Sequence, residues 1–437
     1  MMGSTSRWTA IALGLILIAG CAAGPDYRYI DRQLSAGRCE DAAEHIDSRR
    51  SGYGRNQRLL FHMDAGMIHL RCGNYASATD YFRQAEDIAR DLWTISISRE
   101  AASFLINDYT RPYAGEDFER AMIHLMAAFG YIGMDDHEAA LVEFRRLDTL
   151  LTGLNDRYGE KNVYREDAFA RYMSGILFEA EGYEDDAFIA YRRAYEVYKD
   201  YEKQYGTPAP PELAGDVCRL AARVDRKDDA KQIGIDCADV SGGSPAGYKD
   251  YGKVVFVGFR GSAPRKAEDG LIIPTSAGPV KIAFPRYVVS PASPVRGSFI
   301  LEPEAGAGGS TPGDQWIAAD PRLAQNITRI AVKNLEDRRA RVIARMAART
   351  AAKQVAIDQI ARGAESDSLR FLLNLVNLFV ERADTRSWRT LPGEIYMTRI
   401  FVPPGNYTVR LPPGDRGGSR TETVSVRAGR TEFVFQM

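Results

Sequence analysis

Between Tyr27 and Asp239 one short pattern recurs, and it restricts the chain to stacked helical hairpins more than any other feature. A small or kinking residue ends one helix, an acidic or aromatic turn follows, and an alanine stands five positions on. Gly37 to Ala42, Gly73 to Ala78, Met134 to Ala139, Gly182 to Ala187 and Asp225 to Ala230 all fit. In the later copies a bulky residue follows the alanine by four or five positions, as in Phe82, Phe144 and Tyr191. Small residues let two antiparallel helices approach closely, and a ring one turn later fills the groove against the next helix. Spacing between copies is irregular, so one of the five is expected to be loosened between Ile88 and Ala128.

That gap holds the most distinctive polar segment, which runs from Asn107 to Arg120. Pro112 and Gly115 break a helix there, and Glu116, Asp117 and Glu119 crowd the first turn of the next, where the helix dipole favours negative charge. Asn107, Asp108, Tyr109, Arg111, Tyr113, Glu116, Asp117 and Arg120 are also read as a contact loop. Tyrosines supply contact area at small entropic cost, and the arginines suit acids on a partner. The rival account is internal, with the acids capping helices and Tyr113 packing back on the core.

Beyond Ser241-Gly242-Gly243-Ser244-Pro245 the periodicity changes from helix to strand. Val254 to Phe259, Leu271 to Ile273, Val280 to Phe284 and Phe299 to Leu301 read as short strands. So do Tyr396 to Val402, Tyr407 to Leu411, Thr421 to Val426 and Thr431 to Phe435, with a turn at Pro404-Gly405-Asn406. The Gly-rich loop Ala305 to Gly313 lacks the lysine of a phosphate cradle. A long helix is expected from about Pro321 to Arg362, with Arg338, Arg341, Arg345 and Arg349 along one face as solvated surface or a docking stripe. The apolar segment Leu369 to Val380 is too short to cross a bilayer and is expected as a buried helix. Val424, Val426, Phe433 and Phe435 alternate as on a half-exposed sandwich face.

The expected fold class is thus α+β and multidomain. An N-terminal all-α tetratricopeptide-like solenoid covers 21–240, a linker 241–247, and a strand-rich, sandwich-like domain 248–437, with helices inserted at about 321–383. The overall charge of −1 conceals an asymmetry: residues 22–240 hold 28 basic and 40 acidic side chains, a net of −12, whereas 241–437 hold 28 and 18, a net of +10. The halves can face one another, or the basic one can meet an anionic surface.

The chain starts with Arg7, an apolar run from Trp8 to Ala19, and Ile18-Ala19-Gly20-Cys21. This reads as a lipoprotein signal peptide over 1–20 with Cys21 acylated. The remaining cysteines, Cys39, Cys72, Cys218 and Cys237, are expected to pair locally in an oxidising compartment. Histidines 45, 62, 69, 124 and 137 belong to no HExxH pattern, and no GxSxG, SxxK or P-loop occurs, so neither an enzyme nor a metal or cofactor is expected. Nothing in the pattern points to nucleic acid.

Together, the Cys21 motif, the repeats, the Asn107–Arg120 segment, Pro285-Arg286-Tyr287 and Ala383-Asp384-Thr385-Arg386-Ser387-Trp388 with Leu391-Pro392 resemble a family of Gram-negative outer-membrane lipoproteins with tetratricopeptide-like repeats. The resemblance implies fold and location, with no established activity, and some members are encoded near lipoprotein activators of penicillin-binding proteins. The repeat half is also similar in outline to the repeat lipoprotein of the outer-membrane barrel assembly machinery. The expectation is a lipid-anchored, periplasm-facing scaffold in the outer membrane that binds a periplasmic or outer-membrane protein, in envelope assembly or cell-wall synthesis. The alternative is a lipoprotein that binds a glycan or surface polymer through the terminal sandwich. Exposed sandwich aromatics favour the second, and a concave polar repeat groove the first.

Overall fold

The computed structural model describes residues 26–99, 111–159, 162–240, 250–275, 278–290, 295–304, 316–363, 368, 371–374, 382–414 and 420–437. Cys21 and the signal segment, Asn107, Asp108 and Tyr109, the linker at 241–247 and the Gly-rich loop lie outside the described residues.

Ten helices form five antiparallel hairpins: α1 (Tyr27–Ser35) with α2 (Cys39–Ser48), α3 (Arg58–Arg71) with α4 (Tyr75–Arg99), α5 (Asp117–Gly133) with α6 (His137–Tyr158), α7 (Ala168–Ala180) with α8 (Glu184–Tyr205), and α9 (Pro211–Arg223) with α10 (Lys227–Gln232). Each hairpin turns at one left-handed residue: Gly37, Gly73, Asp135, Gly182 and Asp225. The third copy is therefore shifted by one from the sequence reading. It runs from Asp135 to Ala140, and Ala140 is fully buried where Ala139 is not. In this register Phe144, like Phe82 and Tyr191, stands four positions past its alanine, one helical turn on. Close approach is real: a Cβ on Gly66 would lie 2.6 Å from the Phe82 ring, and one on Gly175 would lie 2.4 Å from the Tyr191 ring.

The second half supplies β1 (Gly252–Arg260), β2 (Arg265–Thr275), β3 (Gly278–Val288), β4 (Phe299–Pro303), β5 (Ile317–Ala319) and β6 (Arg322–Gln325). Helix α11 (Ile327–Gly363) follows, then β7 (Glu394–Val402), β8 (Gly405–Arg410), β9 (Thr421–Val426) and β10 (Thr431–Gln436). The long helix starts later than expected because residues 322–325 pair with β7 as a strand, and the Asn326 side chain then caps the helix by accepting from the Arg329 N–H at 2.9 Å. One sheet has the order β10-β1-β7-β6, with the first and last strands parallel. A second has the order β5-β4-β8-β9, and β2 and β3 form a separate ribbon.

Strand alternation makes the first sheet a middle layer. Val254 and Phe256 face the second sheet, packing with Phe299, Leu301, Tyr407, Val409 and Val426. Val255, Val257 and Phe259 point the other way and join the core of the helical repeats, as do Ile395 and Met397 of β7. Phe433 and Phe435 therefore do not sit on an open sandwich face: Phe435 meets Phe129 at 5.9 Å and Phe433 meets His137 at 5.7 Å between ring centres. The helices and the first sheet share one hydrophobic cluster.

Two further expectations are corrected. Cys218 and Cys237 are bonded, but Cys39 and Cys72 are thiols, with the Cys72 Sγ turned onto the Cys39 carbonyl at 3.5 Å. Within Leu369 to Val380, residues 371–374 are helical, yet Phe371 and Leu372 are exposed while Asn374 is buried. The rest of that segment lies outside the described residues.

The tight helix crossings give a direct test. Gly175→Val should destabilise the protein by about 1–3 kcal/mol in urea unfolding, because the Tyr191 ring it would strike is fully buried. At Gly153 an added Cβ meets nothing within 4 Å, so Gly153→Ala should be neutral or stabilising by up to about 1 kcal/mol.

Candidate functional site: a sealed concave face and an open outer groove

Helices α3, α5 and α7 are apolar almost all round, with an occasional acid among the apolar residues. A helix of that pattern must be covered on every side. Their even-numbered partners cover one side and the second half of the chain covers the other, and the acids mark where polar groups cross the boundary.

Asp64 on α3 accepts from the Thr390 hydroxyl at 2.7 Å, and from the hydroxyls of Tyr27 and Tyr53 at 2.8 Å each. Glu119 on α5 accepts the Trp388 N–H at 2.7 Å. Asp167, the N-cap of α7, accepts from the Gln325 amide at 2.6 Å. Glu179 at the end of α7 takes Lys253 of β1 at 2.7 Å, Arg219 of α9 at 2.8 Å and Arg399 of β7 at 3.5 Å. Asp216 on α9 pairs with Arg399 and accepts from the Tyr172 hydroxyl at 2.9 Å.

Burial pushes the Asp64 carboxyl up to about 6, against the hydrogen bonds from Thr390, Tyr53 and Tyr27, none of which carries a positive charge. Burial also works against the Glu116 and Glu179 carboxylates, but cations overcome it. Lys266 and Arg338 hold Glu116 at about 2, and Arg399, Arg219 and Lys253 hold Glu179 well below the usual carboxylate range. Lys253 is lowered by its own burial despite Glu179.

The described part of the expected contact loop belongs to this boundary, so its assignment to an outside partner is corrected for most of its residues. Tyr113 is buried, donates to Glu119, and lies under the Arg386 guanidinium at 5.2 Å. Glu116 pairs with Lys266 and, at 2.6 Å, with Arg338, which also reaches Asp117 at 3.1 Å. Arg120 is buried with its guanidinium 4.2 Å from the Trp93 ring centre. The Arg111 carbonyl accepts from Arg386 at 2.9 Å. The physical reason is the basic half of the same chain: it meets these acids at no translational entropy cost, before any separate molecule can. The arginine stripe on α11 divides accordingly. Arg338 docks on the acids, Arg341 lies 5.1 Å over the Tyr158 ring, and Arg349 is buried.

The outer side of the solenoid stays open. Between the outer helices α6 and α8, floored by α7, lies a groove of about 430 Å³ with Phe144, Leu147, Ala170 and Phe178 in its wall and Ile189 exposed at the edge. Arg171 and Arg193 at its rim are engaged by Asp148, Glu166 and Glu196. Arg145 and Arg192, also lining it, have no ion pair among the described residues, and the buried Nε of Arg192 has no hydrogen-bond partner.

For a metal, one group qualifies among the described residues: ligand atoms of Glu86, His124 and Glu143 lie within 4.8 Å of one another. Arg146 already supplies a cation there, donating to Glu143 at 2.9 Å and Glu86 at 3.1 Å. Sequence reading missed Asp64, Asp167, Glu179 and Asp216. The usable signal was a lone acid inside an otherwise apolar helical run, as in Phe61-His62-Met63-Asp64-Ala65.

No family model matches the chain, and no curated protein matches it in sequence. Solved structures resemble it distantly over about half of its length. The apo form of RapI is 11% identical over 46% of this chain and 48% of that one, with a TM-score of 0.33. BtubC from P. vanneervenii is 14% identical over 54% of this chain and 88% of that one, at 0.34. A putative kinesin light chain from Podosopora anserina with nearly identical TPR-like repeats is 10% identical over 47% and 88%, at 0.30. This chain spans about half the length of RapI. The tetratricopeptide-like character of residues 27–232 rests on its own hairpins, turns and packing.

The buried Asp64 makes a pH prediction. An aspartate unfolds to a value near 3.9, so between about 4 and 6 the folded chain keeps a proton that the unfolded chain releases. Stability contributed by this group is therefore full below about 4 and is lost as pH rises through about 6, by up to roughly 3 kcal/mol. Asp64→Asn should abolish that slope. In urea unfolding at pH 4 and pH 7, wild type minus variant should fall as pH rises; an unchanged difference would refute the assignment.

Proposed function

We propose that the chain is a lipid-tethered periplasmic scaffold in the outer membrane, without catalytic activity, and that it holds an acidic segment of a protein partner in the groove between α6 and α8. One observation carries this reading: the concave face is filled by the chain itself, while the outer groove combines an apolar wall with two arginines, Arg145 and Arg192, that have no ion pair among the described residues. A peptide with an apolar anchor flanked by carboxylates matches that pattern, since Phe144 and Phe178 bury the anchor and Arg145 and Arg192 pair the acids. The buried titratable groups described above are engaged in the internal boundary, which leaves them holding the fold together. The glycan-binding alternative keeps one observation in its favour, the exposed Trp316 beside β5; a lone ring offers less stacking surface than the groove offers a peptide.

Two measurements test the reading. With a photo-crosslinker in place of Ile189, the partner should be trapped in envelopes, and Arg145→Glu with Arg192→Glu should cut the yield at least about tenfold with the melting temperature unchanged. Equal trapping would exclude the groove. In a cloud-point detergent extraction the acylated chain should enter the detergent phase and Cys21→Ser the aqueous phase, because acyl chains carry the partition. A detergent-phase Cys21→Ser protein would refute the tether.

A further inference from the structure

Seven of the thirteen large apolar side chains that stand exposed among the described residues fall on β2, on the end of α11 and on the residues past it. Leu271, Ile272 and Ile273 lie on β2, Val355 and Ile360 on the last turns of α11, and Phe371 and Leu372 just beyond it. Exposure reaches 64% at Ile272, 57% at Val355 and 56% at Phe371, values expected of charged residues.

The ribbon and α11 belong to one unit. β3 packs along α11, and the Arg339 guanidinium lies 5.8 Å from the Phe284 ring centre. The ribbon register sets Leu271 opposite Ile282 and Ile273 opposite Val280. Phe371 follows the end of α11 by eight residues and so stands within roughly 28 Å of it. From Arg338 to Arg362 the helix carries Arg338, Arg339, Arg341, Arg345, Arg349, Lys353 and Arg362 against a single acid, Asp358. Arg338 and Arg349 are turned inward, Arg345 and Lys353 are half-buried, and Arg339, Arg341 and Arg362 are exposed. Among the described residues no helix is long and apolar enough to cross a membrane, so a bilayer would be touched and not spanned.

We propose that the apolar end of this unit, centred on Ile272, Val355 and Phe371, is a docking surface for an anionic phospholipid bilayer. The aliphatic side chains and Phe371 enter the boundary between headgroups and acyl chains, while the flanking arginines meet the headgroup phosphates. A protein surface would have to match this excess of positive charge with acids placed around an apolar patch, whereas an anionic bilayer offers both everywhere. The contact is peripheral and independent of the Cys21 acyl group, so the two can fail separately.

The test uses the unacylated chain from Ala22 to Met437, sedimented with vesicles of phosphatidylglycerol and phosphatidylethanolamine, or of phosphatidylcholine alone. Binding to the anionic vesicles is expected, weakening as salt is raised, with at least about tenfold less on phosphatidylcholine. The triple variant Ile272→Glu, Val355→Glu, Phe371→Glu should lose at least about tenfold of the anionic binding at an unchanged melting temperature. If the triple variant melts lower, Ile272→Glu alone should still lose about threefold. Failure of the wild-type chain to sediment, or equal sedimentation of the variants, would overturn the proposal. So would a concentration-dependent dimer that the triple variant abolishes without vesicles, since a second copy would then be the occupant.

Discussion

The structure depends on how Glu179 and Asp216 are neutralised. Both carboxylates are buried inside the solenoid, where an unpaired charge costs several kcal/mol, and their cations Lys253 and Arg399 come from strands of the second half. Arg219 and the hydroxyls of Tyr172 and Tyr191 complete the set from the helical side. Losing one member of such a group leaves its partner charged and dry, which typically costs about 3–5 kcal/mol. The ion pairs do little to make the halves stick, since apolar substitutes can bind as well. Their effect is on alignment: β1 and β7 sit on α7 and α9 in the register that pairs both carboxylates.

With that register set, the layers follow. The first sheet has one face for the repeats and one for the second sheet, so β1 is buried along its whole length. The row of acids along α3, α5, α7 and α9 finds partners at Thr390, Trp388, Lys266, Arg338, Gln325, Lys253 and Arg399 in turn. Repeat solenoids usually present their concave face to other molecules. Here that face is internal, and the surfaces proposed above for binding lie instead at the outer groove and the far end of α11.

Much of the first half was legible because helical hairpins are local. Gly37, Gly73, Gly182 and Asp225 announce their turns, and the alanine five residues on announces the crossing. The one-residue error at Met134 arose because Ala139 and Ala140 stand side by side, so Met134 to Ala139 and Asp135 to Ala140 fit the spacing equally and no glycine decides between them; Asp135 takes the left-handed turn. The strands of the second half were also visible as alternating runs, and Thr421 to Val426 matched to the residue. What those alternations face was not visible: Phe433 and Phe435 alternate as on any half-buried strand, and nothing in that pattern says that the covering layer is helical.

The same limit explains the Asn107–Arg120 segment. Its helix stop, its acidic start and its unusual density of tyrosine and arginine were readable in order along the chain, because capping and charge near a helix end involve neighbours in sequence. That Glu116 answers Lys266 and Arg338, roughly 150 and 220 residues away, is a fact of three-dimensional closure. The sequence by itself determined the hairpins, the strands and the opposite charges of the two halves, all of which arise from residues a few positions apart or from simple sums. Only the tertiary structure decided that those opposite charges meet in a dry interface instead of on the surface, because burial depends on which distant elements arrive to exclude water.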